Sequence, residues 1–486
     1  MNRARLRSRS LFYGLGVVLT AAGSFAFAVD TSWDFTPRLS LSQVFSDNIR
    51  LEPRGDEESD LITQLNTGFN FNREGAQARA SVGYNLQSLF YWRETGETSF
   101  FHQFFADSGI EVVEDRLAID AAAGFSQRQL VRERAGGDNL NLDGNRGDVL
   151  TFRISPIYTE QFDDFADFQL RYSYNRVDVQ SSEVSGSNSQ RNEVSLNLTS
   201  GALFSRLGWG LSADWSETDF DDGASTSLAS IEALARWNAT DRFSVFGTIG
   251  YEQDDFDQEE GNPQQDDITW QIGATFAAGE RTFMEAFVGD RVFGRSYGAS
   301  LRHRLRNSRV FLDYSEDITT VNEFEIDQTI PRGVSSTVEE AVIVDGEPVF
   351  LDLESPELRS GAFVSRRLSA GYSGQRRKTG WGLRVFHEER EFEVSDRSEQ
   401  AQSIVGNVSW RMAPRTSLIA SGSIQENSFA DQEGEQTLYS TRLGLQRQLG
   451  PRLSASLDYS YRDLDSSANQ DGYQENRVTA TLQKSF

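Results

Sequence analysis

The chain has 486 residues, a formal net charge of −26 and no cysteine. The lack of cysteine excludes disulfides, thiolate catalysis and cysteine-ligated zinc. So acidic a chain is also a poor partner for the phosphates of nucleic acid.

The first 28 residues have the pattern of a secretory signal peptide. Arginines crowd the first ten positions, an apolar run follows from Leu11 to Ala22, and Ala26-Phe27-Ala28 forms a small-residue cleavage site. We therefore expect the exported chain to begin near Val29. No later stretch approaches the roughly 18 apolar residues of a transmembrane helix. This does not exclude a membrane β-barrel, because its lipid-facing and lumen-facing residues alternate and form no long apolar run.

Apolar and polar residues alternate along most of the exported chain, which is typical of half-buried strands. In 61–72, for example, Leu61, Leu65 and Phe69 share one face, while Gln64 and Asn66 lie on the other. We predict 22 strands, at 35–48, 61–72, 76–91, 99–113, 116–127, 148–160, 165–178, 191–204, 207–217, 227–238, 242–253, 266–277, 281–290, 295–305, 309–317, 359–373, 379–391, 402–412, 416–426, 436–447, 451–463 and 475–486.

The gaps between these strands alternate between short and long. Gaps such as 73–75 and 413–415 are short, whereas 128–147 and 318–358 are long, and acidic residues concentrate in the long ones. Outer-membrane barrels have short periplasmic turns and long extracellular loops. The predicted fold class is therefore all-β: a transmembrane antiparallel β-barrel of about 22 strands (range 20–24) with long acidic extracellular loops, forming one domain over 29–486.

The strand ends and the end of the sequence carry two further membrane signals. The eight tryptophans fall near predicted strand ends, as expected for the aromatic girdles at a membrane surface. Alternation continues to a terminal Phe486, which resembles the C-terminal signature that the assembly machinery of the outer membrane recognises in porins. Outer-membrane lipid and that machinery are thus the expected partners, and nucleic acid is not.

Several segments support a family resemblance. They are Trp33–Ile49, which contains Ser46-Asp47-Asn48, then Tyr84–Tyr91, and Glu111–Leu117. Over essentially the whole exported chain, the sequence resembles the outer-membrane β-barrel family associated with PEP-CTERM/exosortase systems and exopolysaccharide loci. The resemblance implies a Gram-negative outer membrane, a role near exopolysaccharide production or export, and exopolysaccharide or export-system proteins as partners. It implies no catalytic residues. From their side chains, Asp47 and Asn48 are expected to shape the first turn.

The sequence offers little for catalysis or metal binding. His102, His303 and His387 lie far apart on different predicted strands, so convergence on a metal is not expected. The acidic loops lack the spacing of an EF-hand, and no Gly-rich phosphate loop stands out. We predict no catalytic, metal or cofactor-binding residues, and a protein that is not an enzyme.

Alternation predicts a set of arginines that face the lumen. They are Arg79, Arg153, Arg171, Arg302, Arg304, Arg384 and Arg442. Rows of arginine select anions in pores; the alternative is ordinary lumen polarity, with pairs such as those Asp313 could form. The neighbours Arg366 and Arg367 would both face inward only at a β-bulge, which we predict there.

The long gap 318–358 is predicted to fold into the lumen and narrow it. Only Val29–Ser32 separate the signal from Trp33, so we expect no plug domain, although 22-stranded transporters carry a plugged lumen. Arg302, Arg304 and Arg384 would line this constriction. The alternative is a hairpin above the membrane.

Four functions remain open at this point. They are a pore or export component of the exopolysaccharide or PEP-CTERM system, a general diffusion porin, a barrel enzyme that modifies surface polysaccharide, and a structural barrel whose acidic loops bind matrix or cations.

Overall fold

The structure, a computed structural model, describes residues 32–94, 96–130, 136–180, 188–257, 264–320, 323, 342–344, 347–349, 362–392, 398–429, 434–467 and 472–486. The predicted signal peptide and most of 318–358 lie outside these ranges. Within them, no helix is both long enough and apolar enough to cross a membrane.

Twenty-two strands form one antiparallel sheet. They are β1 (Ser32–Ser46), β2 (Asp60–Glu74), β3 (Ala78–Tyr91), β4 (Ser99–Val113), β5 (Leu117–Gln129), β6 (Arg146–Phe162), β7 (Ala166–Gln180), β8 (Ser189–Ser200), β9 (Leu207–Phe220), β10 (Ser225–Asn238), β11 (Phe243–Asp257), β12 (Gln264–Ala277), β13 (Thr282–Arg291), β14 (Gly294–Arg304), β15 (Ser308–Thr320), β18 (Ala362–Arg376), β19 (Thr379–Phe392), β20 (Ser398–Ala413), β21 (Thr416–Ser428), β22 (Glu435–Gly450), β23 (Leu453–Ser466) and β24 (Tyr473–Ser485). A separate hairpin joins β16 (Val342–Val344) to β17 (Glu347–Val349), and single 3-10 turns occupy Ala202–Phe204 and Gly279–Arg281.

Each strand pairs with the next, and the last strand pairs with the first. The register of β1 with β24 runs from Arg38 opposite Ser485 to Ser46 opposite Arg477. Closure removes the free sheet edges that a bilayer cannot satisfy with hydrogen bonds. The predicted all-β barrel of 22 strands is confirmed.

Alternation decides which face of each strand meets lipid. On β1, Leu41 and Phe45 are exposed on the outside, whereas Ser42, Val44 and Ser46 are buried on the inside. Exposed apolar side chains recur on the outer face of the other strands, which is the reverse of a water-soluble protein and typical of a membrane barrel.

The connections differ between the two ends of the barrel. At one end they are short: 75–77, 377–378 and 414–415 are two- or three-residue turns. The other end has the long connections, apart from a four-residue turn at 221–224 and a two-residue turn at 292–293. This confirms the predicted short periplasmic turns, and we call the opposite end the mouth.

The tryptophans face outward, and five cluster near the short-turn end. These five are Trp33, Trp209, Trp237, Trp381 and Trp410. Trp270 departs from the prediction, because it lies in the middle of β12. The short-turn end therefore carries the clearer aromatic girdle.

The predicted bulge at Arg366 and Arg367 is wrong. The register of β18 continues through both residues on each side, so they face opposite sides of the sheet. Arg367 faces the lumen and bonds Glu388 at 2.8 Å, whereas Arg366 bonds Glu391 at 2.8 Å on the other face. The irregularities instead lie beside short turns, between Glu111 and Val113, Arg411 and Ala413, and Gln448 and Gly450.

Candidate functional site

A loop between β5 and β6 folds into the mouth of the barrel. We call residues 136–145 the inward loop. Its Leu140 is buried against Val44, Ile62 and Leu89, which are lumen-facing residues of β1, β2 and β3. Burying a leucine in this way contributes roughly 2 kcal/mol. The inward loop therefore packs against the inner wall of the barrel.

Backbone hydrogen bonds fix the inward loop to its neighbours. The Leu142 amide donates to the Ile49 carbonyl at 2.8 Å, which ties the inward loop to the β1–β2 connection. The Tyr91 hydroxyl donates to the Leu140 carbonyl at 2.9 Å. These bonds satisfy backbone groups that would otherwise be buried without partners.

A buried ion cluster anchors the same loop to the last strand. The Arg477 guanidinium, only 8% exposed, contacts Asp138 and Glu475 and donates to the Asn141 side chain at 3.1 Å. Burial alone would raise the pKa of Asp138, but the charge of Arg477 outweighs it and holds this pKa below its usual range. Asp138 is thus a charged anchor.

The upper ends of β15 and β18 cross the mouth from the opposite side. We call Glu316–Thr320 and Ala362–Arg366 the crossing ribbon. Phe363 is fully buried in a cluster with Ala122, Val149 and Val177, on the lumen face of β5, β6 and β7. In the ring, β5 is the fifth strand and β18 the sixteenth of 22, so these walls face each other. The crossing ribbon therefore reaches across the lumen, and its Phe363 packs against the opposite wall.

The other face of the crossing ribbon is also covered. Ile318 and Val364 pack against Phe256 of β11. A wall strand alternates in burial, but all four residues from Ala362 to Ser365 are buried. The ribbon is thus enclosed on both faces, inside the mouth rather than in the wall.

The short hairpin of β13 and β14 explains why the ribbon can bend. Pairing of β14 with β15 stops at Tyr314, so the upper part of β15 lacks a strand partner on that side. Arg291, at the tip of β13, instead bonds Glu252 at 2.9 Å and Asp317 at 3.0 Å. This arginine joins the ribbon to the wall below it.

Further ion pairs secure the ribbon. Glu388 is fully buried and bonds Arg390 at 2.6 Å and Arg367 at 2.8 Å, while the Ser365 hydroxyl donates to it at 2.7 Å. Buried pairs of this kind fix a specific arrangement more than they add stability. Their loss would leave charges buried without partners.

The strand register places all seven predicted arginines on the lumen face: Arg79, Arg153, Arg171, Arg302, Arg304, Arg384 and Arg442. Several pair with neighbours on the wall. Arg79 reaches Asp120 at 3.4 Å and Arg442 reaches Asp458 at 2.8 Å. They do not form one ring at a single height.

Three of them are predicted to line a constriction formed by 318–358, most of which lies outside the described residues. Arg302 and Arg304 lie next to the short turn 305–307, and Arg384 is nearer the turn 377–378 than the mouth. Chain direction explains this: β14 descends from the mouth, so its last residues end at the periplasmic side. The mouth instead holds Arg191, Arg291, Arg367, Arg390 and Arg477, which alternation alone did not distinguish.

The histidines lie on the outer face rather than in the lumen. Nδ1 of His102 bonds the Tyr84 hydroxyl at 2.8 Å, and that of His303 bonds the Thr282 hydroxyl at 2.9 Å. His387 faces outward by register. Across the described part of the chain, no group of three or more histidines and carboxylates could hold a metal ion.

Comparison with known proteins supports the architecture. No family model matches the chain, and no curated protein matches it. The FrpB iron transporter from Neisseria meningitidis (F3-3 variant) is similar, with a TM-score of 0.54, 10% identity, and 93% of this chain and 82% of that chain covered. A mutant ferric enterobactin receptor from Pseudomonas aeruginosa is also similar, with a TM-score of 0.50 and 9% identity. The match covers 93% of this chain and 80% of that chain.

At such low identity this likeness bears on the fold alone. It agrees with the apolar outer face and the girdle at the short-turn end. The chain is a β-barrel of the bacterial outer membrane.

Proposed function

We propose that this barrel is a gated pore, an export component that serves exopolysaccharide or the PEP-CTERM surface system. The observation that carries the gating is the contact of Phe363 with the opposite wall, because it turns a wide lumen into one obstructed at its outer end. The exopolysaccharide assignment rests on the sequence resemblance at Trp33–Ile49 and on the arginines of the lumen.

Two elements would act as the gate. The crossing ribbon is held by Arg291 and Phe363, and the inward loop by Arg477. Both are built from this chain, so the mouth needs no separate domain to obstruct it. Opening requires release of buried contacts, which makes the closed state the resting one.

A general diffusion porin is the second candidate. The inward loop favours it, since a loop fixed to the wall narrows a lumen without closing it. In that case the crossing ribbon would stay in place and conductance would be steady. A gated exporter should instead show long closed periods.

Planar-bilayer recording of Phe363→Ala separates these functions. We expect the wild type to be mostly closed, and the variant to open more often, because the smaller side chain loses its cluster on the opposite wall. Phe276→Ala, at an outward-facing phenylalanine, is the matched control. A steadily open wild type, unchanged by Phe363→Ala, would exclude the gate and leave the porin.

A polysaccharide readout tests the assignment itself. Deletion of the gene should stop appearance of exopolysaccharide on the cell surface while polymer accumulates in the periplasm. Normal surface polymer would remove the export role.

A further inference from the structure

Two phenyl rings lie flat against the lumen wall, one at the middle of β13 and the other near the periplasmic end of β15. Phe287 on β13 is opposite Gly298 on β14, and Phe311 on β15 is opposite Gly371 on β18. A Cβ on Gly298 would stand 2.0 Å from the Phe287 ring, and one on Gly371 would stand 2.3 Å from the Phe311 ring. The glycines thus provide the space that lets each ring cover its neighbouring strand.

These rings remain half-buried, so they offer apolar surface to the lumen. Phe283, on the same face of β13 and four positions before Phe287, adds a third ring. At a rise of roughly 3.3 Å per residue, the two lie about 13 Å apart along the strand. Phe311 lies two strands away from Phe283. The three rings therefore outline an extended surface.

Arginines interleave with the rings. Arg302 on β14 is opposite both Phe283 and Phe311, and its side chain is 51% exposed. Arg304 and Arg309 are opposite each other one step closer to the short turn. We call these three arginines and three phenylalanines the entrance wall.

Nearby carboxylates only partly offset this charge. Asp313 lies 3.9 Å from Arg302 and already accepts a hydrogen bond of 2.7 Å from the Ser300 hydroxyl. Glu285 accepts a bond of 2.8 Å from the Thr275 hydroxyl. The exposed guanidinium of Arg302 therefore keeps donors that can face a ligand.

We infer that the entrance wall binds an acidic oligosaccharide chain, with carboxylate groups on its sugars, as it enters from the periplasm. The C–H face of a pyranose ring carries slight positive charge and suits the negative face of a phenyl ring. Guanidinium groups pair with carboxylates through parallel hydrogen bonds. Rings and arginines alternating over several strands fit a repeating polymer better than a single small anion.

This inference rests on the proposed export function and names its substrate class. The site also starts at the end of the barrel where a polymer from the periplasm would enter, with Arg304 and Arg309, and extends to Phe287 at the middle of β13. It is separate from the crossing ribbon at the mouth. The periplasmic end would therefore recognise the polymer, and the mouth would close the pore.

Binding is measured with the purified full-length barrel in detergent, by fluorescence anisotropy of a labelled oligogalacturonate. An unlabelled malto-oligosaccharide of the same length serves as the neutral competitor. We expect Phe311→Leu and Arg302→Gln each to weaken binding about tenfold. Gly371→Ala should weaken binding too, because the added methyl group takes the space over which the Phe311 ring lies, although the ring itself is kept. The neutral sugar should compete poorly.

The matched controls are Phe276→Leu and Arg176→Gln, which lie on the outer face. Heat-modified gel mobility verifies that every variant is folded. Equal affinity in the wild type, Phe311→Leu and Arg302→Gln would overturn the site, and full competition by the neutral sugar would overturn its acidic specificity. Binding without any conductance in bilayers would keep the site and remove the pore, whereas gated conductance without binding would do the reverse.

Discussion

Asp138 and Arg477 form an ion pair although 339 positions separate them in the chain. The first residue lies in the inward loop, and the second lies on the strand that closes the barrel. Glu475 and Asn141 complete the cluster. We call the pairing of β24 with β1, which closes the barrel, the seam. The Arg477 side chain thus joins the mouth to the seam.

Replacing Arg477 by glutamine should release the inward loop. The change leaves Glu475 buried without its cation and removes the partner of the half-exposed Asp138; breaking a buried pair typically costs about 3–5 kcal/mol. We expect a lower urea midpoint for unfolding from lipid bilayers and a larger single-channel conductance. Arg54→Gln removes the exposed pair with Asp463 and should change neither measurement. Equal effects from both substitutions would show that the buried cluster does not hold the loop.

Mild acid should not open the inward loop. Because the pKa of Asp138 is held below its unfolded value, its contribution to stability is complete above that unfolded value and is lost only as pH falls through the folded pKa. Burial raises the pKa of Asp143, so protonation of that carboxyl favours the folded loop as pH falls. Protease sensitivity of the loop should therefore not increase between about pH 7 and 5. Increased cleavage at the lower pH would contradict this sign.

The seam should weaken when Asp47 is replaced by alanine. Its carboxylate accepts hydrogen bonds from the Asn476 backbone amide at 2.6 Å and from the Asn476 side chain at 2.7 Å. Bonds to a charged group contribute roughly 2 kcal/mol. We expect the variant to lose its folded gel mobility at a lower temperature than the wild type. Asp34→Ala, which removes only an exposed bond from Thr36, is the control and should behave as the wild type.

Removal of Phe486 should impair insertion. The Phe486 amide donates to the Pro37 carbonyl at 3.0 Å, and the Lys484 ammonium lies 4.7 Å from the ring centre. An unpaired last strand exposes sheet edges that lipid cannot satisfy. We expect reduced outer-membrane levels and protein retained in the periplasm. The substitution Phe276→Ala serves as the comparison, and normal levels of the deletion variant would count against the assembly signal.

The strands could be predicted because lipid on one side and lumen on the other impose the same alternation on every one. The turn at Asn48 was also predictable: its side chain accepts from the Glu52 amide at 2.9 Å and donates to the Glu52 carbonyl at 2.8 Å. Asp47 differs from that expectation, since it bonds across the seam instead. Its partner lies at the other end of the chain, which no local pattern reveals.

The mouth could not be predicted for the same reason. The inward loop is polar, and its position is fixed by partners on β1–β3 and β24, which are distant in the sequence. The crossing ribbon left one trace in the sequence, the consecutive apolar residues Ala362-Phe363-Val364, where a lipid-facing strand should alternate. The sequence instead predicts that 318–358 narrows the lumen, and most of that segment lies outside the described residues.

The seat of the inward loop is assembled from both ends of the chain, and this orders events during biogenesis. Val44 and Ile62 come from the first strands made, whereas Arg477 comes from the last. The loop therefore cannot dock fully until β24 has joined β1. Narrowing of the mouth by this loop therefore becomes a consequence of completed barrel closure, and a barrel that lacks the β1–β24 pairing keeps the loop undocked.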